Sequence, residues 1–157
     1  LFLLDPYGIH LDWEIIYKAG QSRAIEIFLN FPVPDMNRNM LRINPEKIDS
    51  EDAKRMERFW GDTSYRQLAY STEYDLFGHE ERLYGASNAV VKAFKKRLGE
   101  VAGFKFVPEP IPMRNRSNAI MYYLFFASPN ATGAGIVRQI FAKFKDWKQS
   151  DGGPVSH

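Results

Sequence analysis

The apolar positions of this chain group into short unbroken runs and longer spaced ones. Leu1–Leu4 (LFLL) and Ala24–Phe31 (AIEIFLNF) are short and carry little polar alternation, the pattern of strands buried on both faces of a sheet. Between them, Trp13, Ile16 and Tyr17 fall on one face of a short helix spanning Trp13–Ala19, with Asp12 at its N-cap and Gly20 as its stop. Pro32 and Pro34 halt the second strand. Strand, helix, strand at this spacing predicts a βαβ unit with parallel strands.

The middle of the chain reads as helical. A short helix is expected over Met36–Ile43. A second starts at Asp49 or Ser50, runs to Trp60 and ends at Gly61, and a third covers Thr63–Tyr70. Ser71–Gly78 has the composition of a loop. The longest helix is predicted over Glu80–Val101, where Leu83, Tyr84, Val90, Val91, Phe94, Leu98 and Val101 form an apolar stripe closed by Gly103.

The last third changes character. Phe104–Met113 (FKFVPEPIPM) alternates like a strand, but its three prolines confine it to an edge or a bulged ladder. Arg114–Asn118 is a polar turn, and Ala119–Ala127 (AIMYYLFFA) is a third buried strand, so the pair forms an antiparallel hairpin. Asn130 or Thr132 caps a final helix to Trp147, with Ile136, Val137, Ile140, Phe141 and Phe144 in helical register; Ser150–His157 is a polar tail. A first strand that begins in mid-course, together with too few strands to cover a parallel sheet, leads to an expected architecture: the C-terminal half of a Rossmann-like α/β sheet. Residues 1–149 would form that half-domain, 44–103 a helical insertion within it, and 150–157 the tail.

Composition adjusts this picture only slightly. The chain has 157 residues, 45% of them hydrophobic and 25% charged, which is ordinary for a globular protein. Aromatics reach 15%, enough for thick core packing or for stacking surfaces. The net charge of +2 permits a nucleic-acid partner without demanding one. The absence of cysteine excludes disulfides, thiolate metal sites and Cys nucleophiles, and fits a cytoplasmic location. The longest apolar run, around Ala119–Ala127, is about half the length of a membrane-spanning helix, so no membrane is expected.

The candidate chemistry sits at the end of the first strand. In open α/β sheets ligands bind beyond the carboxyl ends of the strands. Asp5 there can accept hydrogen bonds from a substrate amino or hydroxyl group, Pro6 fixes the local backbone, Tyr7 offers a flat face for stacking, and Gly8 permits close approach. Asp-Pro-x-Gly is equally the composition of a simple turn. His10, close behind, is a candidate acid or base.

Three stretches taken together, LFLLDPYG, AIEIFLNFPVPDMNRNM and MYYLFFASPNATGAGIVRQI, resemble the three-Cys-motif partner family (TcmP). That family in turn resembles class I S-adenosylmethionine-dependent methyltransferases. The resemblance implies a seven-stranded sheet whose last strand is antiparallel and inserted as a hairpin, of which this chain would supply strands four to seven. It also implies S-adenosylmethionine as cofactor, with its glycine motif upstream of Leu1, and a cysteine-motif partner protein. Asp5, Pro6 and Tyr7 would then be catalytic, in the place of the D/N-P-P-Y/F motif of amino-methyltransferases; a second proline is missing here, and the aromatic sits one residue early. Gly8, Asn30, Phe31 and Arg38 would contact substrate, the last three matching the family's "nF…nR" segment.

Lys92, Lys95 and Lys96 share the polar face of the long helix, and with Arg114 and Arg116 in the hairpin turn they are candidate phosphate contacts for a nucleic acid. A charge run of this kind is also the ordinary wet side of a helix. Two functions therefore stand side by side: a methyltransferase acting on nucleic acid or a nucleoside-like substrate, and a non-catalytic methyltransferase-like module that binds protein or RNA. No metal site and no carboxylate cluster for phosphoryl transfer are expected from the sequence.

Overall fold

The computed structural model describes residues 1–6, 8–37, 48–74, 80–82 and 85–150. The elements in order are β1 (Phe2–Leu4), α1 (Trp13–Ser22), β2 (Ile27–Pro32), α2 (Val33–Asp35), α3 (Ser50–Trp60), α4 (Tyr65–Ala69), β3 (Tyr70–Tyr74), β4 (Glu80–Arg82), α5 (Ala86–Glu100), β5 (Ile111–Arg114), β6 (Ile120–Ala127) and α6 (Ala131–Ser150). The main sheet has the order β1-β2-β6-β5. β1 runs parallel to β2, with Phe2 opposite Ile27 and Leu4 opposite Leu29. β6, last in the chain, lies between β2 and β5 and is antiparallel to both. The protein is thus mixed α/β, with the βαβ unit and the hairpin that the apolar pattern predicts. Among the described residues, no helix is long and apolar enough to cross a membrane.

Alternation along β2 divides the interior in two. Ile27, Leu29 and Phe31 point into a large core shared with α1, α3, α4 and α5. Phe94 of α5 is the hub of that core, with ring centroids 4.8–5.9 Å from those of Trp13, Phe31, Phe59, Trp60 and Phe125. Phe28, on the opposite face, joins Phe126 and the buried side of α6 (Ala134, Val137, Phe141) in a smaller cluster. α3, α4 and α5, with α1, therefore supply the covering layer on the face of the sheet that carries Phe31.

Several helix ends follow their predicted chemistry. Asp49 Oδ1 accepts from the Glu51 amide at 2.8 Å, and Gly61, at φ 98°, stops α3 in the left-handed conformation. Asn130 Oδ1 accepts from the Thr132 amide at 2.8 Å at the start of α6. Gly20 does not stop α1, which continues to Ser22 and ends on Arg23 at φ 52°. Gly20 is needed for another reason: a Cβ there would collide with the carbonyl oxygen of Ala102.

Other expectations need correction. Leu1–Leu4 is not buried on both faces: β1 is the margin of the described sheet, and Leu1 and Leu3 are 75% and 71% exposed. An apolar run records a strand's suitability for burial, while burial itself depends on a neighbouring strand. Of Ser71–Gly78, expected as a loop, residues 71–74 belong to β3, which pairs antiparallel with β4, and 75–78 lie outside the described residues. The helix expected over Glu80–Val101 starts at Ala86, after Gly85 at φ 76° breaks the register. Of the helix expected over Met36–Ile43, residues 38–43 lie outside the described residues, as do Leu83 and Tyr84.

Candidate functional site

The carboxyl ends of β1 and β2 meet in one place. The parallel register that sets Leu4 beside Leu29 carries on by one residue, so that Asp5 stands beside Asn30. Asn30 Nδ2 donates to Asp5 Oδ1 at 2.7 Å. Two residues assigned to the site from different segments of the sequence are thus brought together, on the same side of the sheet as Phe28.

The following loop is tied to the end of β2 by a second carboxylate. Gly8 adopts φ 61°, and a Cβ on it would strike the carboxylate of Asp35. One residue on, the amide of buried Ile9 donates to Asp35 Oδ2 at 3.2 Å. Only glycine combines this backbone conformation with so close an approach. The result is a crevice of about 290 Å³ lined by Gly8, His10, Pro32, Pro34, Asp35, Arg55 and Met121. Neither Asp5, which is exposed, nor Asn30 is among the residues that line it.

His10 is held from α3. Arg55 is ion-paired with Asp52, both side chains being mostly covered, and its NH1 lies 3.0 Å from His10 Nε2. A guanidinium only donates, so Nε2 accepts and the imidazole proton resides on Nδ1. Neither nitrogen is then open to a substrate proton, since Nε2 is engaged by Arg55 and Nδ1 already carries its own.

The remaining sequence candidates divide as follows. Pro6 is half-buried beside the crevice loop. Tyr7 and Arg38 lie outside the described residues. Phe31, expected at the ligand edge, is instead fully buried among Phe59, Phe94 and Phe125; strand alternation turns it into the main core, away from Asn30. Lys95 is ion-paired with Glu109, and Lys96 lies 3.7 Å from Glu100. Lys92 and Arg116 are exposed, while Arg114 NH1 donates to the Asn118 carbonyl at 2.8 Å and so closes the hairpin turn. The cations of α5 are thus largely matched by carboxylates. Asp35, Asp52 and Arg55 had no marker in the sequence beyond an acid just past a strand end and an Asp–Arg pair three residues apart on a helix.

A second, wider cleft of about 800 Å³ runs between α1 and α3, with Asp12, Glu14, Glu51, Glu57 and Asp62 along it. Lys18, 2.7 Å from Glu14, holds that exposed carboxyl below its ordinary range. At Asp62 partial burial works against ionisation, but hydrogen bonds from Ser64 and the guanidinium of Arg97 outweigh it and hold the carboxyl below the usual range. Arg97 itself is packed over Trp13 at 4.7 Å and Trp60 at 5.6 Å, and its Nε donates to the Trp60 carbonyl at 2.7 Å. Its guanidinium is thereby committed to structure. Burial pushes the Tyr65 hydroxyl upward. Among the described residues, no group of three His, Asp or Glu side chains is arranged to hold a metal ion.

No family model, curated protein or solved structure matches the chain.

Proposed function

We propose that this chain forms the acceptor side of a class I methyltransferase-like sheet of the three-Cys-motif partner type, working in the cytoplasm on a nucleic acid or a nucleoside-like substrate. The observation that carries the reading is the strand order: β6 comes last in sequence, is inserted between β2 and β5, and is antiparallel to both. That is the arrangement implied for strands four to seven of such a sheet. The margin of β1, apolar on both faces and open, is where the next parallel strand of a seven-stranded sheet would join.

On this reading the Asp5–Asn30 pair stands at the strand ends where a ligand binds. Asn30 orients the Asp5 carboxylate, and Asp5 keeps further acceptor capacity for an amino or hydroxyl group. Rate in such a site comes chiefly from holding the acceptor in line, so the loop fixed by Gly8, Ile9 and Asp35 matters as much as any proton transfer. The glycine pair Gly133 and Gly135 opens α6, where a Cβ on Gly133 would strike the Glu26 carboxylate, so this glycine serves helix packing. On this reading the part played by Asp5 and Asn30 is acceptor binding.

A non-catalytic module that docks protein or RNA is the second reading, favoured by the engagement of Asp5 by Asn30. Calorimetric titration of the full-length protein with S-adenosylmethionine separates the two. Binding of S-adenosylmethionine is the expected result; no heat at millimolar ligand removes the enzyme reading. For the lysine face of α5, RNA affinity that does not change with salt would discard phosphate contact.

A further inference from the structure

We propose that the pocket between the 9–12 loop and α3 binds a phosphate group, held by Arg58, Arg55 and His10. This rests on the nucleic-acid reading above and names where the substrate's phosphate is held.

The pocket has a volume of about 180 Å³, room for one tetrahedral anion, and is lined by Ile9, His10, Leu11, Asp12, Arg55 and Arg58. Arg55 and Arg58 are three residues apart on α3, so they are neighbours on one face of the helix. Their situations differ. Arg55 gives one N–H to Asp52 and one to His10, and keeps further N–H groups. Arg58 makes no hydrogen bond or ion pair among the described residues. It is a guanidinium at a concave site with its whole donor set open, in contrast with Lys95 and Lys96, which carboxylates already match. His10, with Nε2 occupied by Arg55, presents its Nδ1–H.

Donors of this kind suit an oxyanion, and a guanidinium meets phosphate with two N–H groups at a time. Asp12 is the one carboxylate in the lining, and it opposes an anion. Its side chain caps nothing at the start of α1, so its charge can be removed without loss of a hydrogen bond. His10 and Arg55 also line the neighbouring crevice, which sets the phosphate beside whatever the crevice holds.

The test adds inorganic phosphate to the full-length protein at constant pH and follows ¹H–¹⁵N spectra. The Arg58 Nε–H and the amides of Ile9, His10 and Leu11 are expected to shift saturably at millimolar phosphate, and chloride at equal ionic strength should not shift them. Arg58→Gln should weaken binding about tenfold, and Asp12→Asn should tighten it several-fold. Lys92→Gln, which takes an equal charge from the exposed face of α5, should leave it unchanged. Uridine monophosphate and the dinucleotide UpU, competed against inorganic phosphate, distinguish a terminal monoester from a chain diester, and uridine should not compete. No saturable shift, an affinity unmoved by Arg58→Gln, equal weakening by Lys92→Gln, or competition by uridine alone would each overturn the proposal. Binding of S-adenosylmethionine, measured separately, decides the methyl-transfer reading alone, so the two can fail independently.

Discussion

The two faces of the sheet are finished very differently. One is sealed by four helices and a continuous set of aromatic rings around Phe94, every one of them buried. Among the described residues the other is covered only by α6, and Leu3 on β1 and Ile136 and Ile140 on α6 remain 71%, 55% and 55% exposed. Gly133, on the same flank of α6 as Ile136 and Ile140, packs against Glu26 just ahead of β2, which turns that flank towards β2 and β1. The contrast separates two uses of apolar side chains. On the first face they are consumed in holding the fold, and on the second they form an open margin that suits a further strand and its covering helix.

Substitutions should break this contrast unevenly. Phe94→Ala removes the ring at the hub of the sealed face and should cost about 3–5 kcal/mol in urea unfolding. Gly20→Ala drives a methyl group into the Ala102 carbonyl and should cost about 1–3 kcal/mol, with no loss of any favourable contact.

Acid should act next, on the seam between α1, α3 and α5. The Asp62 carboxyl is held low in the folded protein, so its contribution is complete above the ordinary carboxylate range and is lost as pH falls through the lowered value. Asp62→Asn should flatten that part of the acid limb of a stability profile. Tyr65 acts in the opposite sense: its raised value contributes below the ordinary phenol range and is lost as pH climbs beyond it. Smallest of all, Leu3→Ala and Ile140→Ala should change the stability of this chain by no more than about 0.5 kcal/mol, because neither side chain is buried here.

These differences also explain what could be read from sequence. The βαβ unit, the hairpin and the α3 caps were legible because periodicity, prolines and capping residues act locally. The same parallel pairing brings Asp5 and Asn30 together at the end of β1. The exposure of Leu3 was not legible, since it depends on a neighbour and not on the residue. Phe31 was misplaced because "after the strand" and "at the ligand edge" differ by one side-chain alternation. Arg55 and Asp35 reach the site only through tertiary packing, from 45 residues away in the first case and 26 in the second.

On the proposed reading β1 is an inner strand of a larger sheet in the full-length protein. The Phe2 amide donates to the Glu26 carbonyl at 2.8 Å, so the Leu3 amide, one residue on in an extended strand, points away from β2 toward the free margin. Hydrogen exchange at Leu3 in the full-length protein measures that margin directly. Slow exchange, comparable to the amides of β2, is predicted; exchange at the rate of an open edge would contradict the reading.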